Sequence, residues 1–186
     1  MEFKIKYIQD EIDYDGSQLS SHFAYKNFNI NGDSLIGFCG KCNIPEANMA
    51  DLEDVIEKEQ IYSSLMLHFI GEFFFNNLYE VVLYQRIFAS IIKDEITKIT
   101  TRPFHRDGDD LFSKDKKLSI SIACPTGTSV MFHFAMNIES NHTPVDTISL
   151  PELGIDNIHE FAWIILKKFK NEIERAEYAK CKVRLK

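Results

Sequence analysis

No apolar run in this 186-residue chain reaches the roughly 18 residues that a membrane-spanning helix requires. The richest stretch, IYSSLMLHFIGEFFF, is interrupted by His68, Gly71 and Glu72, and the opening residues MEFKIKYIQDEIDYDG lack the apolar core of a secretory signal. Both absences predict a cytoplasmic protein with no membrane partner. Basic residues are also scarce, 21 Lys and Arg against 28 Asp and Glu, for a formal net charge of -7. Phosphate backbones are bound by clustered Lys and Arg, so nucleic acid is not an expected partner. One basic run, Lys180 to Lys186, reads as a solvated helix end and chain terminus.

Cysteine is limited to four residues, and in a chain with no secretory signal these read as free thiols rather than a disulfide framework. Cys39 and Cys42 form a CxxC, but no second CxxC or HxxxH supplies the remaining ligands of a structural metal site, and none is predicted. A redox CxxC would precede a helix; Ile44-Pro45 follows here, which fits a strand leaving into a loop. The chain also lacks a linker rich in Gly, Ser or Pro and any internal repeat. A single domain over residues 1–186 is therefore expected.

What the sequence does hold is 45% hydrophobic residues with 15 Phe, enough for an aromatic core that needs no covalent staple. Residues Phe3 to Ile8 alternate apolar and polar and predict a strand. The run LSSHFAYKNFNI, residues 19–30, is strand-like, and Asn31-Gly32 before SLIGF predicts an antiparallel hairpin. Pro45 to Glu59 is acidic and predicts a loop with a helical turn, its acids a solvated rim. Between Gln60 and Phe75, apolar Tyr62, Leu65, Met66, Phe69, Ile70 and Phe73 recur at helical spacing and predict a central buried helix. On it His68 and Glu72 would share a face, as a metal pair, a proton relay or, with no third ligand evident, a hydrogen-bonded structural pair.

Asn76-Asn77 should end that helix and start a second, from Leu78 to Ile96, with Leu83, Ile87, Phe88, Ile91 and Ile92 on one side. The stretch Asn141-His142-Thr143-Pro144 begins a loop rich in turn residues. Asn157 with Glu160 reads as a capping box for a last helix, striped by Ile158, Phe161, Ile165, Leu166, Phe169 and Ile173. Strands, helices, two strands and a helix suit an α+β class, a mainly antiparallel sheet with helices packed on one face.

The functional expectation centres on His105 to Ile138. There LSISIAC places Ser119, Ser121 and Ala123 on one face, and TSVMFHFAMNI places Met131, His133, Ala135 and Asn137 opposite its greasy residues. With a turn at Pro125-Thr126-Gly127, the hairpin would line one face with Ser, Ala, His and Asn, either to seat a ligand or simply to face water. Asp107, Asp109 and Asp110 supply carboxylates on a turn, able to hold magnesium through water or to accept from a ligand hydroxyl, or merely solvated. Lys117, at the strand entrance, could neutralise a phosphate or carboxylate.

The segments DDLF, KKLSISIA and FHFAMNI together resemble the lipoate and biotin protein ligases, in which N-D-L precedes K-[IV]-S-G-S-A and a strand ending in Asn follows. They most resemble the family known as domain of unknown function 366, similar in fold to those ligases. The resemblance rests on Asp109-Asp110-Leu111, Lys117-Leu118-Ser119 and His133 through Asn137, and extends more loosely from Tyr14 to Ile138. It implies a ligase-like fold and a role for Lys117 between the acid substrate and the α-phosphate of ATP, with magnesium. The ligases' R-x-x-G-G-G phosphate loop has no counterpart here; the corresponding region, DYDGSQLSSH, has only Gly16. Ile120 likewise replaces the glycine of K-[IV]-S-G-S-A.

Two readings follow. In the first, the chain binds a small carboxylic acid or nucleotide near Lys117, as an ATP-dependent ligase or acyl transferase would, with Asp107, Asp109, Asp110, Ser119, Ser121, His133 and Asn137 around the ligand. In the second, it is a binding or assembly module that kept the fold and lost the reaction, with a homodimer through apolar helix faces as its signature.

Overall fold

The computed structural model describes residues 2–74, 77–141 and 143–184. Along the chain come β1 (Lys4–Tyr7), α1 (Phe23–Phe28), β2 (Ser34–Ile44), α2 (Leu52–Glu57), β3 (Ile61–Phe74) and α3 (Leu78–Thr97). Then follow β4 (His105–Asp107), β5 (Asp110–Ser113), β6 (Lys116–Lys117), β7 (Ser119–Pro125), β8 (Ser129–Asn137) and α4 (Ile158–Cys181). Five strands form the main sheet in the order β1-β2-β3-β8-β7, and β4-β5-β6 make a small meander beside it. All pairs are antiparallel except β1 with β2. The α+β class with a mainly antiparallel sheet is as expected.

The sheet is covered on both faces, and that decides its sequence. Leu35, Leu67, Phe69, Phe73, Phe132 and Phe134 point towards α3 and α4, where Phe88 and Phe169 meet them. Ile36, Phe38, Met66, Ile70, Met131 and Ala135 point the other way, beneath Tyr14 and α1. The two long helices therefore occupy one face, while the segment around Tyr14 and a short helix close the other. Each long helix starts on the Asn that the sequence marks: Asn77 accepts from Glu80 N at 2.9 Å and Asn157 from Glu160 N at 3.1 Å. Residue Asn76, the expected end of a preceding helix, falls outside the described residues, as do His142 and the last two residues of the basic run.

Three expectations are corrected. Residues 61–74 are the central strand β3, not a helix. Buried on both faces, a strand needs no polar alternation, and its apolar residues then match a helical stripe as readily as a strand. Residues 23–28 form α1 rather than a strand, and Gly32, at φ 96, turns the chain from it into β2, which pairs with β3 and, in parallel, with β1. No Asn31-Gly32 hairpin forms. On α3 the sheet-facing residues are Val81, Gln85, Phe88, Ala89, Ile92 and Ile96, so Leu83 and Ile87 lie on the outer flank, 42% and 39% exposed.

Candidate functional site

The β7–β8 hairpin forms, but its register differs from the expected one. Pro125 pairs with Val130, leaving residues 126–129 between them, where a three-residue turn was expected. One added residue turns one strand over relative to its partner. Ser119 thus pairs with Met136 and Ser121 with Phe134, on the helix face, whereas Ile122 pairs with His133 and Ile120 with Ala135 on the other. The Ser–Ala–His–Asn face does not exist. Ser119 and Ser121 lie on the opposite side of the sheet from His133 and Asn137.

Strand β7 is nevertheless an edge, and a cavity of about 450 Å³ opens along it, bordered by residues from both of its faces. Lys117, Asp109, Asp110, Ser119, Ser121, His133 and Asn137 all border this cavity. Asp107 does not; it sits exposed on β4, paired with Asp110 across the turn at Gly108. Ile120 and Ile122, with Tyr14, Met66 and Ile61, give the lining its apolar surface.

Several of these polar residues have structural partners. Ser119 Oγ accepts from Leu111 N at 3.0 Å, tying the meander to the sheet. Ser121 Oγ accepts from Gln85 Nε2 at 2.6 Å and donates to His133 O at 3.0 Å. Gln85 Nε2 also donates to Asp109 Oδ2 at 2.8 Å, and Arg86 stands 3.7 Å from the same carboxylate. Asn137 accepts from Ser63 Oγ at 3.1 Å and reaches the carbonyls of Lys117 and Ile148 at 3.5 Å. Lys117 Nζ lies 2.9 Å from Asp110 Oδ2, both about a third exposed. Partial burial pushes the Asp110 carboxyl up, against the opposing pull of Lys117.

Deeply enclosed beside the cavity is a pair of histidines that the sequence does not connect. His68 on β3 and His133 on β8 are 0% and 1% exposed, with His68 Nδ1 3.0 Å from His133 Nε2. His68 Nε2 lies 3.1 Å from the Gly40 carbonyl, which can only accept. Burial holds the His68 imidazole down to about 4, and burial followed by the His68 charge holds His133 well below its ordinary value. Both rings are therefore neutral near pH 7. Tyr14 stacks on His133 with ring centroids 3.7 Å apart and planes 10° apart, and burial pushes its phenol upward. Tyr14 comes from the loop before α1 and carries no sequence signal of a site.

The expected His68–Glu72 pair is absent, because four residues along a strand span about 13 Å. Glu72 instead accepts from His22 N at 2.5 Å and Ser129 Oγ at 2.8 Å. The CxxC shows no reactive character: burial pushes the Cys42 thiol up to about 12 and raises Cys39 as well. Among the described residues no three His, Cys, Asp or Glu side chains are grouped to hold a metal ion. The acids of residues 51–59, expected to be a solvated rim, contribute Asp51, Asp54, Glu57 and Glu59 to the cavity lining.

The family model for domain of unknown function 366 matches residues 3–184. An uncharacterized protein of Methanocaldococcus jannaschii is 32% identical over 179 residues, covering 93% of this chain and 80% of that protein. A solved protein of unknown function from Pyrococcus horikoshi superposes with a TM-score of 0.90 at 34% identity, covering 98% of this chain and 99% of that one. The biotin protein ligase of Aquifex aeolicus, in complex with biotin and ATP, gives a TM-score of 0.58 at 17% identity, covering 91% and 70%. A T. acidophilum protein assigned to the lipoate protein ligases, with bound lipoic acid, gives 0.58 at 14%, covering 94% and 87%. The two ligase comparisons speak to the fold alone.

Proposed function

Because this chain belongs to the family of domain of unknown function 366 and has the fold of the biotin and lipoate protein ligases, we propose that it is a small-molecule-binding protein whose ligand occupies the cavity beside Lys117. The supporting observation is the cavity itself. A concave site of this size, with apolar Ile120 and Ile122 and convergent polar groups from β5, β6, β8 and α2, is the ordinary form of a small-ligand site. In this reading Lys117, Asp109, Asp110 and His133 meet the ligand, and Ser119, Ser121 and Asn137 hold the walls through the bonds described above.

The lining fits a triphosphate poorly. Among the described residues its acids are Asp51, Asp54, Glu57, Glu59, Asp109 and Asp110 against one lysine, Lys117, which is already paired with Asp110. Gly16, in place of a glycine-rich loop, is packed so closely that a Cβ there would stand 2.8 Å from Asn48 O. It offers no open cradle of backbone N–H groups. We therefore derive no adenylation step, and favour the binding reading over ATP-dependent ligation of a carboxylic acid.

The test is a thermal and calorimetric screen of the full chain against ATP with magnesium, short carboxylic acids and short amines. At least one class should stabilise the protein, by about 2.7 kcal/mol at a hundred times its dissociation constant. That stabilisation should disappear in Ile120→Trp, which fills the cavity. If no class binds, or the bound class ignores Ile120→Trp, the reading is wrong. Lys117→Ala separates the two chemistries: it should abolish binding of an anion and leave binding of an amine within a fewfold of the native value. Pyrophosphate release from ATP in the presence of a carboxylic acid would restore the ligase reading.

A second, weaker reading is assembly through α3, where Tyr79, Leu83 and Ile87 form an exposed apolar stripe. Light scattering that shows a monomer at micromolar concentration would remove it.

A further inference from the structure

The histidine pair and the acids of the cavity together constrain what the ligand must be. A carbonyl oxygen cannot donate, so the proton between His68 Nε2 and Gly40 O belongs to His68. A neutral imidazole carries one proton, which leaves His68 Nδ1 as an acceptor. The proton in the bond to His133 must then sit on His133 Nε2. It follows that His133 Nδ1 carries a bare lone pair.

That nitrogen has no hydrogen-bond partner among the described residues. The one fully enclosed side-chain polar atom without a partner among them is Ser34 Oγ, so His133 Nδ1 keeps some accessible surface, and the cavity is the space that His133 borders. A buried acceptor held on a rigid ring, stacked under Tyr14 and bonded through His68 to the backbone of β2, cannot turn to offer a donor instead. Among the described residues, the lining of the cavity also holds six carboxylate residues, with Lys117 paired to Asp110 and Arg86 3.7 Å from Asp109.

We propose that the cavity selects a small cationic molecule with N–H donors, an amine or guanidine, which donates to His133 Nδ1 while its charge meets the carboxylates of the lining. The proposal rests on the binding reading above and names the ligand class of the same site. A carboxylate would place its lone pairs against that of His133 and its charge among six acids. Both terms oppose it. Lys117 offsets Asp110 and Arg86 stands by Asp109, which leaves Asp51, Asp54, Glu57 and Glu59 facing the ligand.

Two measurements test this, and the first needs no ligand. Nitrogen-15 NMR of the histidine-labelled full chain at pH 7 should show His133 protonated on Nε2 with a bare Nδ1, and His68 likewise. A proton on His133 Nδ1 overturns the proposal. The second titrates the chain with agmatine and 1,5-diaminopentane as cationic probes and with pentanoate as an anionic one. Agmatine should bind saturably and shift the His133 Nδ1 resonance. His133→Phe, which keeps the ring stack and removes the lone pair, should weaken it at least tenfold. Asp54→Asn, in the lining and outside the histidine pair, should weaken it several-fold, so the charge arm survives if His133→Phe fails to fold. Pentanoate binding that depends on Lys117, with no amine bound, overturns the proposal and leaves the binding reading standing. Binding of neither probe class, with ATP and magnesium also inert, overturns both.

Discussion

At the scale of single residues, His68 and His133 show how a buried polar pair is tolerated at the centre of a greasy sheet. Neither ring is charged, and each bond along the chain from Gly40 O to His133 has one donor and one acceptor. The cost appears in acid. An unfolded histidine titrates near 6.5, whereas His68 in the fold holds out until about 4. As pH falls through 6.5 the unfolded chain takes up protons that the folded one refuses, so stability rises with pH over this window and is lost on acidification. Between pH 7 and pH 4, urea denaturation should show a loss of about 3 kcal/mol from His68 alone, more with His133. The double variant His68→Gln/His133→Gln should flatten that slope even though it is less stable at pH 7. A second residue-scale expectation concerns Gly40, whose missing side chain lets Ile12 O lie directly over β2. Gly40→Ala should destabilise by about 1–3 kcal/mol in the same assay, because the obstructing atom is backbone and cannot turn aside.

Elements were legible where local chemistry decides them. Asn77 and Asn157 both cap their helices, the reciprocal bond from Glu80 completing the box at α3, while at α4 Glu160 accepts from the Asn157 side chain instead. Asn77→Ala or Asn157→Ala should each cost about 1 kcal/mol, read from the shift in denaturation midpoint at unchanged slope. The strand β3 was not legible for the opposite reason. Its fourteen residues carry apolar side chains on both faces because α3 and α4 cover one and Tyr14 with α1 the other. The pattern of a strand depends on what lies above and below it, which a local window does not contain. The hairpin of β7 and β8 was visible as two alternating runs, yet a turn longer by one residue exchanged which faces meet.

Across the whole molecule the helix-side core is organised around Phe88. Its ring lies 5.1 Å from those of Phe69 and Phe169 and 5.4 Å from those of Phe132 and Phe134, joining α3 to α4 and both central strands. Phe88→Ala should therefore cost about 3–5 kcal/mol in equilibrium unfolding, and a loss below 1 kcal/mol would mean the core can collapse around the gap. The cavity opens instead along the β7 edge, where residues of both faces border it. Among the described residues no helix is long and apolar enough to cross a membrane.

By itself the sequence determined the class of the fold, the starts of the long helices, the alternation of β1, β7 and β8, and a segment from Asp109 to Asn137 that borders the cavity. These follow from periods of a few residues and from caps, which act within one turn of the chain. Only the tertiary structure decided that His68 meets His133 from a position 65 residues away in sequence, with Tyr14 stacked over the pair. It also decided that the acids of residues 51–59 face a cavity rather than open water. Such contacts are set by sheet order and register, which depend on every turn and every covered face at once.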